Sequence, residues 1–341
     1  MLIITNCLTE TADEGCLKTA NSIVERIKAA QPETTVVSYE RKSDITDFFL
    51  SFNKLFLNRN LFSLLRKKNE PVLYIPFPSK PIAAAIRIFV LSLFSKKKVN
   101  SLLVMMGKLS VGAKLLLKIS GTNIIVISKK SENTYRRFLP SERVKYIKMG
   151  VDTKKFMPVT IERAEELKIK YGFDSKKPIV LHVGHMKKGR NVGKLVDIED
   201  KYNVLLVAST LTANESDPEL VDKLSARPNI RILDDYIDRI EEIYQLSDVY
   251  FFPTVESGNC IDVPLSCLEA ASCNKSVVTT DYGEMSEFIG CDGFHFLKDL
   301  DKNEINYSID KALECRNETR KSGLEYDWDK AILSVLKFCE S

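Results

Sequence analysis

Cysteine occurs in this chain but never in an arrangement that would organise a fold. The eight cysteines stand at positions 7, 16, 260, 267, 273, 291, 315 and 339, with no CxxC pair and no zinc-finger spacing. That excludes a disulfide scaffold and points to reduced, mostly buried thiols of a cytosolic protein. Long apolar runs are missing as well. A membrane-spanning helix needs about 20 predominantly apolar residues, and the longest candidate, Pro81 to Ser95, is shorter and carries Arg87. The opening MLIITNCLTE has no basic region before its apolar run and reads as a first strand, not a signal peptide. Histidine is confined to positions 182, 185 and 295, so the first half has none. Fixed-period repeats and low-complexity stretches are absent too.

What is present is the composition of a soluble globular protein: 341 residues, 44% hydrophobic and 28% charged. At roughly 100 to 200 residues per domain this length favours two domains. The net charge of +4 conceals an asymmetry. Residues 1–150 hold 25 Lys and Arg against 11 Asp and Glu, whereas residues 151–341 hold 25 against 35. Within 51–150 the ratio is 20 to 3. A field of that sign attracts anionic lipid headgroups, nucleic acid or phosphorylated ligands.

Short β-branched runs alternate with segments of helical period, the pattern of parallel strands joined by crossover helices. Strands are predicted at 2–5, 35–39, 72–75, 101–106, 123–128 and 144–148, then at 178–184, 203–208, 230–233, 249–253, 276–280 and 294–297. The alternation restarts after about residue 157, beside the charge reversal and the turn MGVDTKKFMP. The expected architecture is α/β: two Rossmann-like doubly wound domains, 1–155 and 156–325, facing a central cleft at the carboxyl ends of their strands. A terminal helix, from about Asp329 to Cys339 within 326–341, is expected to pack back on the first domain.

Two segments of the second half carry candidate chemistry. LHVGHMKKGRNVGKL, 181–195, is a strand running into Gly184, a cationic turn and a helix, which aims backbone N–H groups and a positive dipole end outward. His185, Lys187, Lys188 and Arg190 suit a diphosphate, because phosphate oxygens accept charge-assisted hydrogen bonds and Arg binds them bidentately. A solvated basic loop is the alternative. In the segment 249–288, Asp262 and Pro264 read as a helix start before Leu265, Leu268 and Ala271. Glu269 then falls one or two turns into that helix, where its carboxylate can take the two hydroxyls of a ribose. A surface or capping role is the alternative.

The same segments resemble glycosyltransferases of the two-Rossmann GT-B fold, family 4 (glycosyl transferases group 1), over most of residues 120–340. KYIKMGVDTKKFMP is similar to the family's interdomain turn, with Lys148 and Met149 in place of its proline and asparagine. IYQLSDVYFFP, LEAASCNKSVVTTDYGEMSEFI and YDWDKAILSVLKF, with Trp328, follow its later motifs in order. The resemblance implies phosphate binding by Arg190 and, less closely matched, His185. It assigns the ribose to Glu269 as the second Glu of an E-x7-E motif. The first Glu falls at Ile261 and is absent, which leaves Asp262 and Glu256 as substitutes. The family's first-domain histidine is also absent, and Lys108 is the one ionisable group of LLVMMGKLS.

The resulting candidates are Arg190, Glu269, Asp262 and Lys108 for catalysis, and Gly184, His185, Lys188, Arg190, Tyr236, Glu256, Ser257, Gly258, Asn259 and Glu269 for the donor. What the resemblance implies is transfer from a UDP- or GDP-sugar to a glycan or lipid-linked acceptor, retaining and without a metal. A non-catalytic nucleotide-sugar-binding protein of the same fold stays as the alternative. In the first loop Glu10, Asp13 and Glu14 suit acceptor contacts or a solvated acidic turn. Residues 47–68 and 80–98 combine aromatic and aliphatic residues with basic ones, as an interfacial helix does, so an anionic membrane surface on the cytoplasmic side is expected as a partner. For 80–98 a buried crossover helix with a basic cap is the alternative. No nucleic-acid motif occurs, and none is expected as partner.

Overall fold

The computed structural model describes all residues except 11–14, 52–57, 79, 106, 187, 209–216, 257, 259, 316 and 341. Two compact units account for the chain, Met1–Met149 with Trp328–Ser341, and Gly150–Asp327. The chain thus leaves the first unit inside the turn MGVD and returns immediately before Trp328.

In chain order the first unit contains β1 (Leu2–Thr5), α1 (Gly15–Ala30), β2 (Thr35–Ser38), β3 (Phe48–Phe49), α2 (Arg59–Lys67), β4 (Val72–Ile75), α3 (Pro81–Phe94), β5 (Val99–Leu103), α4 (Val111–Ile119), β6 (Asn123–Val126), α5 (Lys129–Arg136) and β7 (Val144–Tyr146). Its sheet is parallel throughout, in the order β3-β2-β1-β4-β5-β6-β7. Central strands such as LIIT and VLYI are fully buried because helices cover both faces of a parallel sheet. One core layer joins Leu61 and Leu65 of α2, Ala85, Ile88 and Leu91 of α3, and Ala113 and Leu117 of α4 to the sheet.

The second unit contains α6 (Ile161–Lys170), β8 (Ile179–Gly184), β9 (Asn203–Ala208), α7 (Pro218–Ser225), β10 (Ile230–Leu233), α8 (Ile240–Leu246), β11 (Val249–Phe252), α9 (Leu265–Ser272), β12 (Ser276–Thr279), β13 (Phe294–Phe296), α10 (Lys302–Glu314) and α11 (Thr319–Gly323). Its parallel sheet runs β10-β9-β8-β11-β12-β13, the doubly wound order whose direction of winding reverses between β8 and β11. The last helix, α12 (Trp328–Glu340), belongs to the first unit and packs on α1, with Arg26 and Asp329 4.0 Å apart.

Three expectations need correction. Residues 47–68 are not one interfacial helix. Phe48 and Phe49 form an edge strand on Val37 and Ser38, and α2 starts after Asn58, whose side chain accepts from the amides of Asn60 and Leu61. Its apolar face is the buried one, and Phe62 stacks on Phe94 with ring centroids 3.8 Å apart. Phe52, Lys54, Leu55 and Phe56 lie outside the described residues, as do Asp13 and Glu14. The turn after β8 does not enter an α-helix either. Two 3-10 segments follow, Lys188–Arg190 and Val192–Asp197, separated by Asn191 at φ 55°. Left-handed backbone at that position ends one helical segment before the next begins. Finally, Asp262 does not start α9: Pro264 occupies the N-cap position and the helix opens at Leu265.

No described helix is long and apolar enough to cross a membrane.

Candidate functional site

The winding reversal between β8 and β11 leaves the carboxyl ends of two adjacent strands without crossovers on the same side, which is where ligands of doubly wound sheets sit. Here the two strands pair only at Val180 with Val249 and at Leu181 with Tyr250, and then diverge. Side chains close the gap that the backbone leaves. His182 Nδ1–H donates to the Phe251 carbonyl at 2.8 Å, and the Tyr250 hydroxyl donates to the Val183 carbonyl at 3.2 Å. With Nδ1 as the donor, Nε2 of His182 carries a lone pair; it is buried and has no hydrogen-bond partner. Burial, followed by the nearby Arg190 charge, pulls the His182 pKa down to about 4, so the ring is neutral at physiological pH.

Arg190 reaches back over the end of β8. A Cβ built on Gly184 would stand 2.5 Å from Arg190 Nη1 and 3.3 Å from His182 Nε2. Only a glycine leaves the guanidinium that room. The loop that brings Arg190 there is tied to the end of β11: Asn191 Nδ2 donates to the Pro253 carbonyl at 3.0 Å, and the Thr254 hydroxyl donates to the Arg190 carbonyl at 3.4 Å. His185 is buried, at 8% exposure. Lys188 is directed elsewhere. It pairs with Asp217 at 3.2 Å and lines a cavity of about 430 Å³ together with Asn191, Lys194 and Lys223. Lys187 is not among the described residues.

The loop between β11 and α9 forms the other wall. Gly258 adopts φ 92° and nothing lies within 4 Å of where its Cβ would be, while its backbone is hydrogen-bonded to the Tyr282 hydroxyl. Tyr282 clamps this loop: its hydroxyl donates to the Cys260 carbonyl at 2.6 Å and accepts from the Cys260 amide at 3.1 Å. Behind it Gly283, at φ 61°, lets the Asp262 carbonyl come within 2.2 Å of a would-be Cβ, and the Glu284 amide donates to that carbonyl at 2.8 Å. Ile261, where the resembling motif has its first Glu, is buried at 4% exposure. Pro264 at the N-cap of α9 makes no side-chain cap hydrogen bond to the first-turn amides. The helix is fixed from below, where Gly150 packs so closely that a Cβ would meet Leu268 at 2.7 Å.

Glu269 lies on the second turn of α9 and is 5% exposed. Its Oε2 accepts from the Tyr244 hydroxyl at 2.6 Å. Burial, then the Glu269 charge, drives the Tyr244 pKa far above its ordinary value, so the phenol stays a donor at every physiological pH. Tyr244, which holds Glu269, and His182, beside Arg190, are candidates that the sequence reading missed. The signal for Tyr244 was the Tyr of IYQLSDVYFFP, five residues before β11.

The other candidates are dispersed. Tyr236 follows β10, two strands from β8, and is half-exposed without a ring or hydrogen-bond contact among the described residues. Glu256 is exposed, and Ser257 and Asn259 lie outside the described residues. Lys108 belongs to the first unit, in the exposed link between β5 and α4. Among the described residues no group of three His, Cys, Asp or Glu side chains is placed to hold a metal ion.

Comparison with known proteins places this site in a family context. Residues 177–314, which include Gly184, Arg190 and Glu269, match the family model described as glycosyl transferases group 1. The chain is 26% identical over 226 residues to the alpha-maltose-1-phosphate synthase of Mycolicibacterium smegmatis, covering 61% of this chain and 55% of that protein. It is 22% identical over 210 residues to the alpha-galactosylglucosyldiacylglycerol synthase of Streptococcus pneumoniae, covering 58% and 50%. To the N,N'-diacetylbacillosaminyl-diphospho-undecaprenol alpha-1,3-N-acetylgalactosaminyltransferase of Campylobacter jejuni it is 28% identical over 180 residues, 49% and 44% of the two chains. The chain spans about half the length of these curated relatives. Among solved structures, a Rickettsia africae glycosyltransferase superposes with a TM-score of 0.80 at 14% identity over 99% of this chain and 97% of its own. Anabaena HepE, solved with UDP and glucose, superposes at 0.75 and 12% identity over 100% and 99%. The fold is therefore that of GT-B glycosyltransferases.

Proposed function

We propose that this protein is a glycosyltransferase of the group 1 type that binds a nucleotide-sugar donor in its second unit. The observation that carries the reading is the placement of the Arg190 guanidinium over Gly184 at the winding reversal of the sheet, inside the segment that matches the family model. In this reading Arg190 and His185 hold the diphosphate, the first-turn amides of α9 add backbone donors, and Glu269, oriented by Tyr244, takes the ribose hydroxyls.

The reaction that such a site serves is cleavage of the bond between the sugar anomeric carbon and the diphosphate oxygen. An acceptor hydroxyl oxygen forms the new bond to that carbon and gives up its proton, and the nucleoside diphosphate departs. Negative charge grows on the departing diphosphate, so fixed cations and aligned N–H groups there stabilise the transition state more than the ground state. The donor is assigned as a UDP- or GDP-sugar, with the UDP complex of Anabaena HepE in support of the former. The acceptor is assigned as a glycan or lipid-linked saccharide, in the synthesis of a surface polysaccharide or glycolipid and with retention at the anomeric carbon. Two relatives are named for lipid-linked chemistry, one for a diacylglycerol glycolipid and one for a diphospho-undecaprenol substrate.

Release of nucleoside diphosphate from a panel of nucleotide sugars, with membrane extract as acceptor, tests this function. Wild-type release that disappears in Arg190→Ala and Glu269→Ala supports it, and a wild type that binds no nucleotide sugar at all refutes it. A second reading is favoured by one observation: the position of the motif's first Glu is the buried, apolar Ile261. Donor binding without release under any acceptor would make the protein a nucleotide-sugar-binding module.

A further inference from the structure

Exposed large apolar side chains occur singly over most of this surface, as is ordinary for a globular protein. One region differs. On α3 the outward residues Ile82, Ile86 and Leu93 are exposed, and on α4 the outward residues Val111, Leu115 and Ile119 are exposed, the first and last of these by 83% and 62%. Positions 82 and 86, and 111, 115 and 119, recur every four residues, so each set lies along one face of its helix. The two helices are neighbours, and a Cβ on Gly112 would meet Ile82 Cδ1 at 3.6 Å. Their opposite faces are already committed to the core through Ala84, Ala85, Ile88 and Leu91 on one and Ala113 and Leu117 on the other. The exposed rows therefore have no covering partner among the described residues of the unit.

Charge decides what kind of partner fits. Lys114 and Lys118 flank the α4 row one position away, and Lys96, Lys97 and Lys98 follow the end of α3. All five are exposed, and none pairs with a carboxylate among the described residues. From Pro71 to Ser131 the sequence has no Asp or Glu whatever. An apolar row edged by lysines that have no carboxylate partner among the described residues, in a stretch without Asp or Glu, attracts an anionic partner, although Lys114 Nζ also lies 5.9 Å from the centre of the Phe138 ring. It is the arrangement in which aliphatic side chains enter the acyl boundary while cations meet headgroup phosphates. By contrast α2 turns Arg59, Asn60, Ser63, Arg66 and Lys67 outward, buries Leu61 and Leu65 and half-buries Phe62 and Leu64, so it has cations but no exposed apolar row to insert.

We propose that the outward face of α3 and α4 is a docking surface for an anionic lipid bilayer. The assignment goes beyond the catalytic reading and does not depend on it. Vesicles of phosphatidylglycerol mixed with phosphatidylcholine should sediment the full chain at low salt, and vesicles of phosphatidylcholine alone should not. Rising salt should release it. Lys114→Gln with Lys118→Gln should weaken binding by about 25-fold, at about fivefold per lysine near the surface. Leu115→Ser with Ile119→Ser should weaken it by about tenfold or more even at low salt. Leu93→Ser on the other helix provides an independent check. All five positions are exposed, so the variants should keep the wild-type melting curve and circular dichroism. Absence of the wild type from phosphatidylglycerol pellets, or variants that bind as well as wild type, overturns the proposal. So does sedimentation velocity showing a dimer that Leu115→Ser with Ile119→Ser converts to monomer, since a second copy of this chain would then be the occupant.

Discussion

The Arg190 guanidinium fills the space that a side chain on Gly184 would need, with Nη1 2.5 Å from where a Cβ would be. The obstacle is the mobile end of a long side chain and not backbone. Gly184→Ala should therefore fold, changing stability by within about 1 kcal/mol, while it pushes the guanidinium off its position. Calorimetry with UDP and GDP should then show about tenfold weaker binding or more, the scale of one charge-assisted hydrogen bond. Arg190→Lys should lose a similar amount, because an ammonium keeps the charge but not the planar fork. Unchanged nucleotide affinity in both variants would mean that the diphosphate binds elsewhere.

The hydrogen bond from Tyr244 to Glu269 makes a prediction about the sugar of the nucleotide. If the Glu269 carboxylate holds the ribose, wild type should prefer a nucleoside diphosphate over its 2′-deoxy analogue by about tenfold, and Glu269→Ala should bind the two equally. Tyr244→Phe removes a donor to a buried carboxylate and should cost about 1 to 3 kcal/mol of stability. It should also reduce the preference for ribose, since Oε2 loses its orientation. Equal affinity of wild type for both nucleotides would remove Glu269 from the ribose.

The parts of this molecule that were legible in the sequence are those set by local pattern. LIIT, VLYI and IVLHVG read as buried strands because both faces of a parallel strand are covered and the apolar run is nearly continuous. β3 was not legible. Phe48 and Phe49 are exposed and become a strand only through pairing with Val37 and Ser38. β5 begins two residues earlier than expected because Asn100, ordinarily a turn residue, is buried and accepts from Asn123 Nδ2 at 3.0 Å on the adjacent strand. The site divides in the same way. Gly184, Arg190 and Glu269 sit in runs with a recognisable local form, whereas Lys188 is drawn to Asp217 and His182 acquires its role from Phe251, 69 positions away.

His182 supplies a pH prediction whose sign follows from proton binding. The unfolded ring has the ordinary histidine value near 6.5, and the native ring, held neutral by burial and by Arg190, titrates at about 4. Between those values the unfolded chain binds the proton and the native one does not, so this residue's contribution is complete above about 6.5 and is lost as pH falls towards 4. The slope attributable to it is about 1.4 kcal/mol per pH unit. Denaturant curves of wild type and His182→Gln across that window should diverge, with the variant flatter. Parallel curves would show that the ring does not stay neutral in the native state.

Gly283 carries the clearest stability prediction, because two independent penalties fall on one atom. Its φ of 61° belongs to the left-handed region, which costs a residue with a Cβ on the order of 1 kcal/mol. That Cβ would also stand 2.2 Å from the Asp262 carbonyl oxygen, and the obstacle here is backbone, which cannot swing aside as Arg190 can. Relief would require the loop around Asp262 to retreat, breaking the hydrogen bond from the Glu284 amide and loosening the clamp of Tyr282 on Cys260. Gly283→Ala should accordingly lose more than about 2 kcal/mol, while Gly258→Ala, with nothing within 4 Å of its Cβ, should bear only the conformational part. Denaturant midpoints of the two variants measured side by side separate the contributions. A Gly283→Ala loss no larger than that of Gly258→Ala would mean the Asp262 loop is not held against Gly283, and the ordered wall that this site needs would be missing.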